Sequence, residues 1–365
     1  VGGIVPSRGR ANHPLCEDSL RGLDAGLIPD NHVAGSSRPT QRAVYWLVAL
    51  ALAGVLLYYS LRGVDWQRVV ELLRESQLRW IAAAIALMSG ALVLRSQRWR
   101  MLLTAETDLS PLYAFWATAV GYLGNSFLPA RAGEILRTVV VSRHSGLSKT
   151  FVLTTVLCER LLDAVSLILI GAVVLLQLPE KPGWLEVTAR PLAVGGMIGV
   201  VALAMVPLFE SFWGRLLARM PVPDRFRGFA EHLLEQGLKG MRSLHHPGRL
   251  TKYILLTGVI WAIDGVVLVA VAKSIGMPLS WTIALLVVVG LGLGSALPST
   301  PGYVGIWQFV AVTLLTPFGV GRNEAIAFIL LFQAISYGLF LAWGLIGVQQ
   351  TSPGLLRRRL EEPLA

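Results

Sequence analysis

Residues 121–137 read GYLGNSFLPARAGEILR, and residues 290–305 read GLGLGSALPSTPGYVG. Both sequences lie inside long apolar segments, about 111–142 and 278–318, and both interrupt them midway with proline and glycine. Proline removes a backbone donor and clashes with the preceding turn, so neither segment continues as one straight helix. Each is expected to return to the side it came from, as a re-entrant hairpin or as two short helices.

Around these breaks the chain is built of apolar runs. Ala43–Leu61 and Leu161–Leu176 have almost no polar interruption, and roughly 20 apolar residues cover the ~30 Å hydrocarbon core of a bilayer. Spanning helices are expected at about 43–61, 80–97, 150–177, 190–209, 252–273 and 323–347. The fold class is therefore an all-α polytopic membrane protein, with six full spans and two broken helical hairpins. Composition agrees: 54% of residues are apolar and 15% charged, where a soluble domain carries about 25% charge.

The net charge of +10 does not indicate nucleic acid, because the basic residues fall between the apolar runs instead of on one soluble face. With the N-terminus inside, 20 of the 32 Lys and Arg lie in cytoplasmic segments, Arg98 and Arg100 among them, and eight in outer loops. This bias places both termini in the cytoplasm of a cell that keeps the protein in its cytoplasmic membrane. Residues 1–42 read as a disordered cytoplasmic tail and 349–365 as a basic one. Within 210–250, Phe226, Phe229, Leu233, Gly237, Met241 and Leu244 recur at helical spacing with Arg225, Arg227, Lys239 and Arg242 off that stripe. That segment is an amphipathic helix on the anionic leaflet, or a connector packed beneath the bundle. Cys16 and Cys158 give neither a disulfide framework nor metal spacing, and no cofactor is expected. No HExxH, Walker or Gly-x-Ser-x-Gly pattern occurs; Gly290, Gly292 and Gly294 lack the strand of a dinucleotide loop and read as close helix packing.

The two quoted segments align with each other. Gly121, Ser126, Leu128, Pro129 and Gly133 match Gly290, Ser295, Leu297, Pro298 and Gly302, all at an offset of 169. The offset also carries span 80–97 onto 249–266 and span 150–177 onto 319–346. The unit of helix, broken hairpin and helix is thus used twice, over about 80–177 and 250–347, starting on opposite sides: an inverted-topology repeat. Repeats of this kind with broken helices are the architecture of alternating-access transporters. A half-helix starting at mid-depth presents free N–H groups and a positive dipole end. Pro129 would open the first such helix; Thr300 as N-cap with Pro301 following would open the second. Together these ends would form an anion site near the midplane, the alternative being that the prolines only kink packed helices.

Arg131, Glu134 and Arg137 share one face of the first half-helix, and Glu159, Arg160 and Asp163 lie near mid-depth on the next span. A lone charge there costs at least ~2.5–3.5 kcal/mol, so six unpaired charges would exceed a domain's net stability. They must face one another or water. Either they form a closed, neutral structural network, or Arg131 and Arg137 are shared with an anionic ligand. Asp264, at the position that the repeat equates with Arg95, is a proton or ion site or a hydrogen-bonded core acid.

The run Asn125–Arg137, then Glu159-Arg160-Leu161-Leu162-Asp163, then Pro298–Gly305, resembles the transmembrane domain of the lysylphosphatidylglycerol synthase/flippase family. The likeness covers about residues 43–348, so that region is identified as a flippase-like membrane domain. It implies movement of an anionic or aminoacylated phospholipid, or a lipid-linked phosphate, between leaflets, with Asn125, Pro129, Arg131, Gly133, Arg137, Thr300, Pro301 and Gly302 at the head group. The family's bifunctional members add a soluble synthase domain, and nothing in this chain up to Ala365 resembles one, so a transporter is expected in preference to an enzyme. The other readings are a membrane-embedded glycosyl or aminoacyl transferase and an accessory subunit of a separately encoded synthase. This chain departs from the family's usual Glu and Arg at Gln308 and Gln333, which is what a salt bridge replaced by an amide pair would look like.

Overall fold

A computed structural model describes residues 39–104, 106–128, 131–178, 182–205, 246–297 and 300–351. The expected N-terminal tail, the amphipathic segment 210–250 up to residue 245, the C-terminal tail from residue 352, Pro129 and Pro298 lie outside the described residues. Contacts divide the chain into Val1–Trp46, of which residues 39–46 begin the first helix, and Leu47–Ala365. All that follows concerns the second unit.

The described residues are all-helical. In order they form α1 (Pro39–Leu61), α2 (Trp66–Arg74), α3 (Leu78–Leu103), α4 (Pro111–Phe127), α5 (Ala132–Ser145), α6 (Lys149–Gln177) and α7 (Gly183–Met205). After the undescribed segment come α8 (Pro247–Ser274), α9 (Trp281–Gly294), α10 (Ile306–Leu315) and α11 (Arg322–Thr351). Three of them, α3, α8 and α11, are long and apolar enough to cross a membrane. Their outer faces are aliphatic: Val93, Ile254, Leu255, Val259, Leu341 and Leu345 are all exposed. A soluble protein would carry charge on such helices, whereas lipid tails solvate these side chains at no cost.

Local chemistry sets the helix starts. Ser110, Ser148 and Ser280 each accept a backbone N–H two residues into the following helix, from Tyr113 (3.2 Å), Phe151 (3.1 Å) and Ile283 (3.3 Å). Asp65 does the same for α2, accepting from Gln67 and Arg68. This short helix, absent from the sequence-based expectation, buries Val69 and Leu72 and turns its charged face outward. α7 starts earlier than expected and runs through Pro191, as proline is tolerated in membrane helices.

α3 and α8 pack antiparallel. Gln77 donates its N–H to the Ser274 carbonyl (2.7 Å) near one end, and Arg98 donates to Thr257 (3.1 Å) near the other. α4 and α5 fold back on each other, with Tyr113 stacked on His144 at the open end and Gly124 on Gly133 at the turn. α9 and α10 do likewise, with Gly290 against Leu314 and Gly294 against Ile306. α4 lies along α11 through Gly344 and Gly347, and α9 lies along α6 through Gly171 and Gly292. The main apolar core joins α2, α3, α6, α7, α8, α9, α10 and α11.

Candidate functional site

The first break ends in a residue that seldom adopts such a backbone: Arg131 is left-handed, at φ 53°, and α5 starts immediately after it. Gly133 permits the turn, since a Cβ there would run into the Gly121 carbonyl and the Asn125 amide. The half-helix thus begins at Ala132, later than a start at Pro129.

The second break differs from its expected form. Thr300 precedes a single 3-10 turn at Pro301–Tyr303, but its hydroxyl donates to the Val304 carbonyl (2.9 Å) instead of capping. The half-helix α10 starts only at Ile306, where the Gln308 side chain accepts the Gly305 N–H (2.8 Å). The glycines at 302 and 305, with Tyr303, hold positive φ, and those angles cannot continue a helix. Gln308 donates to Gln333 (2.7 Å), and Gln333 donates to the Gly302 carbonyl (2.8 Å) and the Tyr337 hydroxyl (2.7 Å). The amide pair expected from the sequence therefore exists, and it clamps this break to α11.

Between the breaks lies a cavity of about 260 Å³. Its charged and amide lining is Arg95, Asn125, Arg131, Glu134, Arg160, Asp163 and Asp264, with aromatic rings such as Tyr122, Trp261, Tyr303, Trp307 and Tyr337 and aliphatic side chains around them. Arg131 donates to the Ser295 carbonyl at the end of α9, so one guanidinium ties the first break to the second. Asn125 and Trp261 are both on this lining, and the side-chain oxygen of the first and the indole N–H of the second are buried without a hydrogen-bond partner. Thr300, Pro301 and Gly302 are not on the lining; Tyr303 is the residue of that turn which reaches it.

The six charges singled out in the sequence do meet, and a seventh lies at their centre. Arg98 is 1% exposed and bridges Glu159 (3.2 Å) and Asp163 (2.7 Å). Glu159, equally buried, also holds Arg137 (2.8 Å), whose guanidinium lies 4.1 Å from the centre of the Trp99 ring. Arg160 reaches Glu134 (3.4 Å), Glu159 (3.7 Å) and Asp163 (3.7 Å), and Arg131 reaches Glu134 (3.8 Å). Beside them Arg95 pairs with Asp264. Arg137, at 3% exposure, stands behind the cavity wall, while Arg131 and Arg160, at 32% and 30%, face into it. The Lys and Arg count places Arg98 in a cytoplasmic loop, whereas its helix runs on to Leu103, five residues past it, and buries it among the carboxylates. Its three-residue step from Arg95 was the available signal.

Such an arrangement can hold an anion without a metal or a nucleophile: arginine heads, one carbonyl already engaged, and aromatic walls that exclude water. Among the described residues no three His, Cys, Asp or Glu are grouped to hold a metal ion. Two known proteins are similar to this chain. The glycosyltransferase AglD of Haloferax volcanii is 23% identical over 82% of the chain and 52% of its own length. A UPF0104 membrane protein of Methanocaldococcus jannaschii is 22% identical over 61% of the chain and 91% of its own length. The chain thus spans about half the length of the glycosyltransferase that it matches. The family model of the lysylphosphatidylglycerol synthase TM region matches residues 46–344, which include every residue lining the cavity, and the chain belongs to that family.

Proposed function

We propose that this protein moves a lipid with an anionic head group across the cytoplasmic membrane, the head group passing through the cavity between the two broken segments. One observation carries the reading: Arg131, at the first break, faces the cavity and is fastened to the end of α9 at the second. Any change in the distance between the breaks must alter how that guanidinium is held. A ligand that competes for it therefore couples to their motion.

The inverted repeat supports a transport cycle. An offset of 169 maps α3 onto α8, α4 onto α9, α5 onto α10 and α6 onto α11, and the α3–α8 pair is antiparallel. Arg95 and Asp264 are separated by that same 169, so the pair that they form maps onto itself under the exchange of units. On this reading the pseudo-twofold passes through the ion pair, inside the cavity. Re-entrant hairpins, both termini in the cytoplasm and a partner synthase complete the picture. The test is a head-group-resolved flip assay in proteoliposomes: faster translocation of an anionic lipid than in empty vesicles is the expected result, and rates equal to those of empty vesicles would sink it.

The name of the relative in Haloferax volcanii favours a second reading, in which this region is the membrane half of a glycosyltransferase. Supplying a lipid-linked sugar donor and acceptor to the same vesicles separates the two, since sugar transfer without lipid movement supports only the second.

A further inference from the structure

Resting on the transport reading, we infer that the cavity selects head groups bearing one negative charge in total: a single phosphodiester with no ammonium group to cancel it. Among the described residues, the ion pairs at the cavity involve five guanidinium groups, of Arg95, Arg98, Arg131, Arg137 and Arg160. They involve four carboxylates, of Glu134, Glu159, Asp163 and Asp264. The network therefore carries one positive charge in excess. A net charge inside the bilayer is costly, and a monoanion in the cavity brings the sum to zero.

The excess can be located. Arg95 and Asp264 form a one-to-one pair. Arg98 and Arg137 are buried on Glu159 and Asp163. That leaves Glu134 shared between Arg160 (3.4 Å) and Arg131 (3.8 Å), and both of these guanidinium groups face the cavity. Arg131 holds the longer of the two and a neutral carbonyl, so its charge is the one without a full counter-ion. A phosphodiester taken up there strands no carboxylate, because Glu134 keeps Arg160. Asn125 and Trp261 also line the cavity. A zwitterionic head group would leave the excess in place, a dianion would reverse it, and a lysyl ester, with two ammonium groups, would add to it.

The experiment measures binding of short-chain lipids to the purified full chain in detergent by titration calorimetry. Dioctanoyl phosphatidylglycerol should bind about tenfold or more tighter than dioctanoyl phosphatidylethanolamine, which has the same phosphodiester plus an ammonium. It should likewise exceed its lysyl ester and phosphatidic acid held above its second ionisation. A citronellyl phosphodiester of a sugar forms a further arm. Tight binding there assigns the site to a lipid-linked sugar, and tight binding of phosphatidylglycerol assigns it to a glycerophospholipid. Arg131→Gln, which keeps a polar amide but removes the charge, brings the network to neutrality. It should bring the ratio of phosphatidylglycerol to phosphatidylethanolamine affinity close to one, with the melting temperature unchanged. Equal affinity of the parent for the two lipids overturns the inference, as does a ratio that Arg131→Gln leaves intact. Charge-selective binding without flipping in vesicles would instead retire the transport reading and leave the site standing. Flipping that ignores head-group charge would do the reverse.

Discussion

Arg131, at the N-cap of α5, and Arg137, within it, are six residues apart, yet the fold gives them different work. Arg137 is sealed between Glu159 and the Trp99 ring, so Arg137→Ala should cost stability by removing the nearest of the three guanidinium groups on a buried acid, about 1–3 kcal/mol. Glu159→Gln should cost as much or more, because Arg137 loses the carboxylate it rests on and Arg98 loses one of its two. Asp163→Asn should cost less, since Glu159 remains beside Arg98. Denaturant midpoints of the three variants check that order, and Asp163→Asn emerging as the most damaging would contradict it. Arg131→Lys keeps the charge at the cavity but loses the planar fork, so it should fold normally and bind lipid phosphate more weakly by ~1–3 kcal/mol. The sequence made the six charges visible through the three-residue steps of Arg131, Glu134 and Arg137 and through the mid-depth position of Glu159, Arg160 and Asp163. It could not separate a wall residue from a sealed one, because that depends on where Trp99 and Arg98 arrive from a distant helix.

At the scale of elements, the two breaks are built by different chemistry despite their common pattern. The first relies on backbones touching through glycine, so Gly133→Ala should force α4 and α5 apart, and a loss of thermal stability relative to Gly146→Ala would report it. The latter glycine ends α5 at φ 75° with open space around its Cα, so its cost is conformational strain alone. The second relies on the Gln308–Gln333 clamp. Gln333→Leu removes the donor to the Gly302 carbonyl and strands the Gln308 amide, and should destabilise by ~1–3 kcal/mol, measured by melting. Helix positions were legible because apolar length and proline are local signals. The start of α10 was not: Thr300-Pro301 looks like a helix opening, and only the left-handed turn through Gly302 and Tyr303, imposed by Gln333 and Tyr337 on α11, postpones it to Ile306.

For the molecule as a whole, the proposed inverted repeat makes a statement about sides. Cysteines introduced at Arg143, at the end of α5, and at Arg322, at the start of α11, should be labelled by an impermeant reagent from opposite faces of the membrane. Labelling from the same face would end the inverted-repeat reading. The pairing of Arg95 with Asp264 carries a further consequence on that reading. A residue on a twofold axis meets its own copy, so two identical units assembled as a dimer would have set arginine against arginine, or acid against acid, at this point. Opposite charges there require two units that differ, as they do when joined in one chain. The pair then also fixes orientation: it favours one head-to-tail assembly of unlike halves and penalises each half's assembly with itself. A gene cut in 206–245 into separately expressed halves should therefore return mixed pairs and no like pairs. The same two genes carrying Arg95→Asp and Asp264→Arg together should do so equally well.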